Sequence, residues 1–169
     1  MDVFEAVRTV LAIRRYRDEG VPDEVVRRIV EAGRCTGSSM NAQPWHFVVV
    51  ADRTVLQRLG RMLRTGPYVA EAPLAVVVAV EKASRFAVSD ASRAIQSMIL
   101  MAWEAGVGSN WVGFGGLTEV ASMVGIPDDL DVLAVLPFGY PMTDRFRGKK
   151  NRKPLAQVAS LGRFGQPFE

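Results

Sequence analysis

Hydrophobic and polar positions alternate along the first half of the chain in a pattern that predicts three helices and one strand. Asp2 is a capping residue type, and the apolar residues after it recur at helical spacing on one face. Pro22 opens a second helix and Gly33 ends it, since proline suits a first helical turn and glycine a helix end. Residues 47–50 indicate a buried strand, and residues 53–63 an amphipathic third helix. The apolar face of the first helix consists of Val3, Phe4, Val7, Val10 and Leu11.

The second half of the chain contains two long apolar segments of different kinds. Residues 73–80 are apolar almost without interruption, which is typical of a central strand covered on both faces. Residues 90–105 predict a long helix whose second half is apolar nearly all round, a pattern that in a small protein often marks a subunit interface. The shorter elements are an extended segment at 110–114, a helix capped by Thr118 and ended by Gly125, and a buried strand at 132–136.

These elements together predict one α+β domain, residues 1–169, in which helices cover a sheet. The segment from about residue 142 onward differs in character, because it is basic at 145–153 and then carries apolar residues with little of their own chain to pack against. A C-terminal arm docked onto a partner chain would bury them, and the alternative is a disordered end. These apolar residues are Leu155, Val158, Leu161, Phe164 and Phe168.

Composition narrows the class of protein and of partner. The net charge of +3 is small, and the arginines are scattered, which favours anionic small molecules over nucleic acid as ligands. Cys35 is the single cysteine, so an internal disulfide is excluded, and with His46 as the one histidine a His/Cys metal site is not expected. The first residues lack the layout of an export signal, and the apolar run 94–103 is too short to span a bilayer, so we expect a cytoplasmic protein.

The loop at 38–47 is the candidate ligand-reading segment. It places the hydroxyls of Ser38 and Ser39 and the carboxamides of Asn41 and Gln43 just before an apolar strand. Such groups donate and accept hydrogen bonds without charge, so the loop can read the polar edge of a neutral ring. A turn in which serine and asparagine bond their own backbone explains the composition equally well.

Other catalytic patterns are weak. The glycines at 113–118 lack the spacing of a dinucleotide fingerprint, and no phosphate-binding P-loop sequence occurs. A catalytic pair of Cys35 and His46 is disfavoured against a core thiol and a buried imidazole. Two basic clusters, residues 14–17 and 149–153, are each more often solvated surface. If the fold brings one residue of each together, they form a phosphate site from both ends of the chain.

Several motifs in the same order resemble the flavin-dependent nitroreductase family. The most specific is S-S-x-N-x-Q-P-W-x-F at 38–47. It is preceded by an arginine and aromatic at the exit from the first helix and by V-P-x-E at 21–24. The resemblance continues through Asp90 and Ala91 in the long helix, the glycine-containing exit at 106–111, G-I-P at 125–127 and K-N-R at 150–152.

The resemblance implies an α+β fold with a helix-covered mixed β-sheet, as a homodimer with C-terminal arm exchange that holds FMN at the subunit interface. It implies hydride transfer from NAD(P)H through flavin N5 to a nitroaromatic or quinone-like acceptor, with no nucleic-acid or membrane partner. Ser38, Ser39 and Asn41 would contact the flavin from one subunit, Arg14 would approach the ring and ribityl chain, and Lys150 and Arg152 would hold the phosphate. The backbone N–H near Gly113 would face N5 and is the catalytic assignment.

The sequence departs from the family pattern at the end of the first helix. Where the family commonly has a basic pair followed by serine, this chain has Val10, Leu11 and Ala12. A further basic or amide position before the second strand is also missing, and Arg64 is the candidate substitute. The departures leave three hypotheses open: an active FMN enzyme, a degenerate non-catalytic flavin-binding or scaffold homodimer, and a deazaflavin-dependent reductase.

Overall fold

A computed structural model describes residues 1–143 and 150–168. These residues form a four-stranded sheet in the order β1-β2-β4-β3. All three strand pairs are antiparallel, and the parallel bridge between Ala12 and Ser109 adds the mixed character at the β3 edge. The strands are β1 (Trp45–Val50), β2 (Leu74–Glu81), β3 (Gly108–Ser109) and β4 (Leu130–Gly139).

Helices cover both faces of the sheet. They are α1 (Val3–Thr9), α2 (Asp23–Arg34), α3 (Arg53–Met62), α4 (Ala87–Glu104) and α5 (Leu117–Val124). Alternate residues of β2 enter two different cores, since Val76 and Val78 pack with α2 and α4, whereas Ala75 and Val77 pack with α3 and α5. This two-sided burial explains the uninterrupted apolar sequence and confirms the predicted central strand.

The structure corrects three details of the predicted elements. Gly33 lies inside α2 and does not end it. A glycine suits this position because Met98 packs closely against it: a Cβ there would lie 2.6 Å from Met98 Cε. Thr118 is the second residue of α5, which Gly116 precedes with a left-handed φ of 84°. β1 is an edge strand and only partly buried, with Val49 43% exposed.

Apolar residues at both ends of the chain remain exposed. Asp2 caps α1 as predicted, with Oδ1 accepting from the Glu5 N–H at 2.7 Å. The predicted apolar face of α1 is nevertheless open, with Val3 78% and Phe4 74% exposed. The tail is equally open, and Phe164 is fully exposed. Among the described residues, the helices lack the length and apolarity that a membrane crossing requires.

Candidate functional site

A cleft of about 1030 Å³ lies where α1 meets the returning C-terminal tail. Its floor and walls come from α1 and its exit, α4, the segment after β3, and the tail. The residues that line it include Glu5, Arg8, Val10, Leu11, Ala12, Ile99, Asn110, Trp111, Lys150 and Arg152.

The exit from α1 is held along β3 by backbone contacts. The Ile13 N–H donates to the Ser109 carbonyl at 2.8 Å, next to the parallel bridge between Ala12 and Ser109. Gly108 permits this approach, because a Cβ there would lie 2.5 Å from Ile13 Cγ1. The segment 10–12 therefore lines the cleft directly, and its three apolar residues occupy the positions where the resemblance leads one to expect a basic pair and a serine.

Three cationic side chains line the cleft beside one carboxylate, Glu5. Lys150 Nζ donates to the Val7 carbonyl at 2.6 Å and so ties the tail to the last turn of α1. Burial lowers the pKa of Lys150, and the nearby charge of Arg152 lowers it further. Arg8 enters the same cleft from the last turn of α1. Cations that crowd one another in this way favour an anionic ligand group.

The wall formed by the segment after β3 is neutral and hydrogen-bonded. Asn110 Nδ2 donates to the Tyr68 hydroxyl at 2.6 Å, and Asn110 Oδ1 accepts from the Trp111 N–H at 2.9 Å. The Arg14 guanidinium lies 5.9 Å from the centre of the Tyr68 ring, in cation–π contact. Arg14 therefore does not line the cleft and is linked to it only through Tyr68, which contacts the lining residue Asn110.

The loop 38–43 is held by internal hydrogen bonds and by α4. Asp90 accepts from the Ser39 N–H at 2.9 Å and from the Ser39 hydroxyl at 3.3 Å. The Gln43 N–H donates to Ser38 Oγ at 2.9 Å. The serines thus bond within the protein, while the Asn41 side chain stays exposed.

The backbone of this loop is strained. Met40, Asn41 and Gln43 have φ values of 53°, 55° and 52°, in the left-handed region. Each such residue costs about 1–2 kcal/mol relative to a right-handed conformation. Strain of this kind persists only where surrounding contacts hold it in place.

The structure brings some predicted site residues together and leaves others apart. Lys150 and Arg152 line the cleft, but the basic cluster at 14–17 does not join them there, and Lys149 lies outside the described residues. Arg64 packs beside Gly115 and is absent from the lining, whereas Arg8 is present. The predicted site residues that do not line this cleft are Arg14, Ser38, Ser39, Asn41 and Gly113.

Several functional candidates escaped the sequence analysis. The sequence did not indicate Arg8 as a site residue, because the cleft forms only when α1 packs beside the C-terminal tail, which is distant in sequence. Asp90 was assigned only to the start of the long helix, yet it is fully buried in the first turn of α4. Cys35 and His46 are both exposed, so the expectation of a core thiol and a buried imidazole is wrong.

Comparisons with known proteins point to one family. The Nitroreductase family model matches residues 8–82 and 61–140. A putative NADH dehydrogenase/NAD(P)H nitroreductase of Methanothermobacter thermautotrophicus is 36% identical over 149 residues, which span 83% of this chain and 78% of that protein.

Solved structures agree with this match. A putative nitroreductase in complex with FMN from Desulfovibrio desulfuricans is 30% identical, with a TM-score of 0.83 over 100% of this chain and 99% of that one. A putative NADH dehydrogenase/NAD(P)H nitroreductase from Bacteroides thetaiotaomicron is 26% identical, with a TM-score of 0.88 over 95% of this chain and 97% of that one.

Proposed function

This chain belongs to the nitroreductase family, and from that premise we propose that it is an FMN-dependent oxidoreductase. It takes hydride from NAD(P)H and passes it to a small acceptor such as a nitroaromatic or a quinone, in two half-reactions at one site. The observation that carries the proposal is the cleft, which joins a cationic end to neutral and apolar walls.

The residues of the cleft fit the chemistry of FMN. The volume of about 1030 Å³ lies at the upper end of the range of about 300–1000 Å³ typical of cofactor sites. Arg8, Lys150 and Arg152 suit a phosphate group, while Ile99 and Trp111 suit a flat aromatic ring. When bound, FMN supplies the hydride-accepting and hydride-donating chemistry.

Arg8 supplies positive charge near the positions where the expected basic pair is missing. Val10 and Leu11 line the cleft but offer no charge, and Arg8 lies two residues before Val10 on the same wall. Lys150 has three donors, of which one already bonds the Val7 carbonyl, so two remain for phosphate. We assign the phosphate to these two residues together with Arg152.

The ring contacts come from two copies of the chain. Ser38, Ser39 and Asn41 do not line the cleft that holds Lys150 and Arg152, so they reach the flavin of a partner subunit in a homodimer. The exposed apolar face of α1 and the exposed tail supply surface for that dimer, with C-terminal arm exchange. Arg14 approaches the ring and ribityl chain from beside Tyr68.

The chain itself provides orientation and a hydrogen-bond donor. Gly113 is half-buried beside Trp111, and its backbone N–H is the proposed partner of flavin N5. A side chain there would require Trp111 to shift, since a Cβ would lie 2.7 Å from Trp111 Nε1. Such a site needs neither a nucleophile nor a strong acid, because positioning and a preorganised donor are sufficient.

The direct test is the absorption spectrum of the purified protein, followed by reduction with NADH or NADPH. We expect a yellow protein whose flavin absorption bleaches with the nicotinamide and returns on addition of a quinone. Excess FMN at a hundred times its dissociation constant should stabilise the apo-protein by about 2.7 kcal/mol. A colourless protein whose unfolding temperature is unchanged by FMN would contradict the proposal.

The apolar lining at Val10, Leu11 and Ala12 favours the alternatives. Each missing charged contact weakens FMN binding by about 1.5–3 kcal/mol, which suits a degenerate flavin-binding or scaffold homodimer. A deazaflavin-dependent reductase is the other function that the missing basic residues at 10–12 would suit. Titration of the apo-protein with FMN and with a deazaflavin separates the cofactors, and bleaching by NAD(P)H with reoxidation by quinone rules out the scaffold.

A further inference from the structure

We propose that Asp90 is a positioning residue that holds the loop 38–43 in its flavin-binding conformation and sets the direction of its hydrogen bonds. The inference rests on the proposed function and extends it to a side chain outside the cleft. It starts from a carboxylate that is fully buried and yet bonded to a strained loop on a different element.

Asp90 joins three partners with its two oxygens. Oδ2 accepts from the Ser39 N–H, and Oδ1 accepts from the Ser39 hydroxyl and from the Arg93 guanidinium. A buried carboxylate is retained only when its oxygens are satisfied in this way. Since Ser39 contributes both backbone and side chain, the contact fixes the position and the rotamer of that residue.

The loop needs this anchor because its own backbone resists the conformation. Met40, Asn41 and Gln43 all lie in the left-handed region. The Asp90 contact precedes Met40, and the bond from Gln43 N–H to Ser38 Oγ closes the loop at its other end. Without the anchor, the three residues relax toward ordinary conformations, and the binding shape becomes a minor population.

The anchor also decides what the serine hydroxyls offer to a ligand. A carboxylate only accepts, so the Ser39 hydroxyl gives its proton to Asp90 and keeps lone pairs that accept from a ligand N–H. Ser38 Oγ accepts the Gln43 N–H, which leaves the Ser38 proton free to donate to a ligand carbonyl. A donor beside an acceptor matches the alternating C=O and N–H edge of the flavin pyrimidine ring.

The competing explanation is that Asp90 only attaches the loop to α4 for stability. In that case its loss lowers the unfolding temperature, but the folded protein binds flavin as before. If Asp90 positions the loop, the apparent dissociation constant rises by the inverse of the fraction of molecules with the loop in place. Flavin affinity of the folded apo-protein therefore distinguishes the two roles.

The experiment compares Asp90→Asn, Ser39→Ala and the double variant by titrating each folded apo-protein with FMN and with riboflavin. We expect the dissociation constant to rise about tenfold or more for Asp90→Asn, as for a loop populated one-tenth of the time. The dissociation constants of FMN and of riboflavin should rise by the same factor, because in the proposed site the loop contacts the ring and not the phosphate. The double variant should lose little more than the larger single variant, since both remove the same contact.

Asp52→Asn is the matched control. Asp52 caps α3 by accepting from the Val55 N–H at 2.9 Å and does not bond the loop. Its substitution should lower the unfolding temperature without changing either dissociation constant. Unchanged flavin affinity in folded Asp90→Asn would overturn the positioning role.

Three further outcomes are distinguishable. If Asp90→Asn fails to fold, Asp90→Glu, which keeps the charge but displaces both carboxylate oxygens, takes its place, and unchanged flavin affinity in that variant overturns the inference. If the wild-type apo-protein binds neither flavin, the proposed function fails and the inference fails with it. If the wild type binds both and the variants bind equally well, only the inference about Asp90 fails.

Discussion

At the scale of single residues, the positive charge of the cleft comes from residues distant in sequence, Arg8 near the N-terminus and Lys150 and Arg152 near the C-terminus. The segment 10–12 faces the cleft with apolar side chains, while Arg8 on the same wall and Lys150 on the tail supply cations. Lys150 also bonds a carbonyl of α1, so one ammonium both fixes the tail and contributes to the site. The apolar residues at 10–12 therefore do not leave the cleft without positive charge.

We predict that Arg8→Gln weakens FMN binding about tenfold or more, because a hydrogen bond to a charged group contributes about 1.5–3 kcal/mol. Riboflavin, which lacks the phosphate, should bind the variant and the wild type equally. Fluorescence titration of the apo-protein with both ligands provides the measurement. Lys150→Gln should show the same selectivity for FMN, and Arg15→Gln, an exposed residue outside the cleft lining, is the control.

The pH dependence of stability should report Asp90. Burial acts to raise the pKa of Asp90, but hydrogen bonds from Ser39 and the charge of Arg93 outweigh it and lower the pKa below the ordinary value. Its stabilising contribution is therefore complete above the unfolded aspartate pKa of about 3.9 and disappears as the pH falls through the lower folded pKa.

We accordingly predict that the difference in free energy of unfolding between the wild type and Asp90→Asn stays constant from about pH 7 to pH 5 and narrows below about pH 4. Denaturant unfolding across this range measures it. A gap that widens on acidification would show that the sign of the pKa shift is wrong.

At the scale of elements, close backbone contacts fix the entry to α5 beside the cleft wall. Gly116 precedes α5 in the left-handed region, and a Cβ there would lie 2.3 Å from the Met62 carbonyl oxygen. The Thr65 hydroxyl donates to the Phe114 carbonyl at 3.2 Å, which holds the preceding loop against the end of α3. α3 therefore positions the segment that carries Gly113.

We predict that Gly116→Ala destabilises the protein by about 2 kcal/mol or more, because it adds left-handed strain to a clash with backbone. Thermal or denaturant unfolding measures the loss. Gly20→Ala is the control, since no atom lies within 4 Å of a Cβ there. Removal of glycine flexibility in the unfolded chain should leave that variant neutral or slightly more stable. Equal stability of the two variants would contradict the packing argument.

At the scale of the whole molecule, apolar surface is concentrated at the two chain ends. Val3 and Phe4 on α1 and Phe164 on the tail are all more than 70% exposed. An exposed apolar surface of this kind marks an interaction site, and the proposed function requires a partner to bring Asn41 to the flavin.

We predict that the protein sediments as a homodimer and that Phe164→Ser shifts it toward monomer while it also lowers FMN affinity. Both effects are expected because the flavin site is completed by the second copy. Analytical ultracentrifugation at several concentrations, with and without FMN, is the measurement. Ala83→Ser, an exposed position between β2 and α4, is the control. A wild-type monomer that binds FMN tightly would contradict the shared site.

The sequence alone predicted those features whose causes are local. The cap at Asp2, the helix end at Gly125 and the two-faced burial of residues 74–80 depend on neighbours a few positions away or on which side chains are apolar. Gly33 was wrongly predicted as a helix end, because the contact that requires a glycine there is with a distant residue, Met98. The motif at 38–47 indicated the family, because its residues adjoin one another in sequence.

Which side chains meet was decided only by the tertiary structure. Lys150 bonds the carbonyl of Val7 across 143 positions, and Asp90 bonds Ser39 across 51. No periodicity or spacing encodes such contacts, because they depend on how completed elements pack. The sequence determined the fold class and the chemistry of the loop, whereas packing placed Arg8 in the cleft and Asp90 beneath the loop.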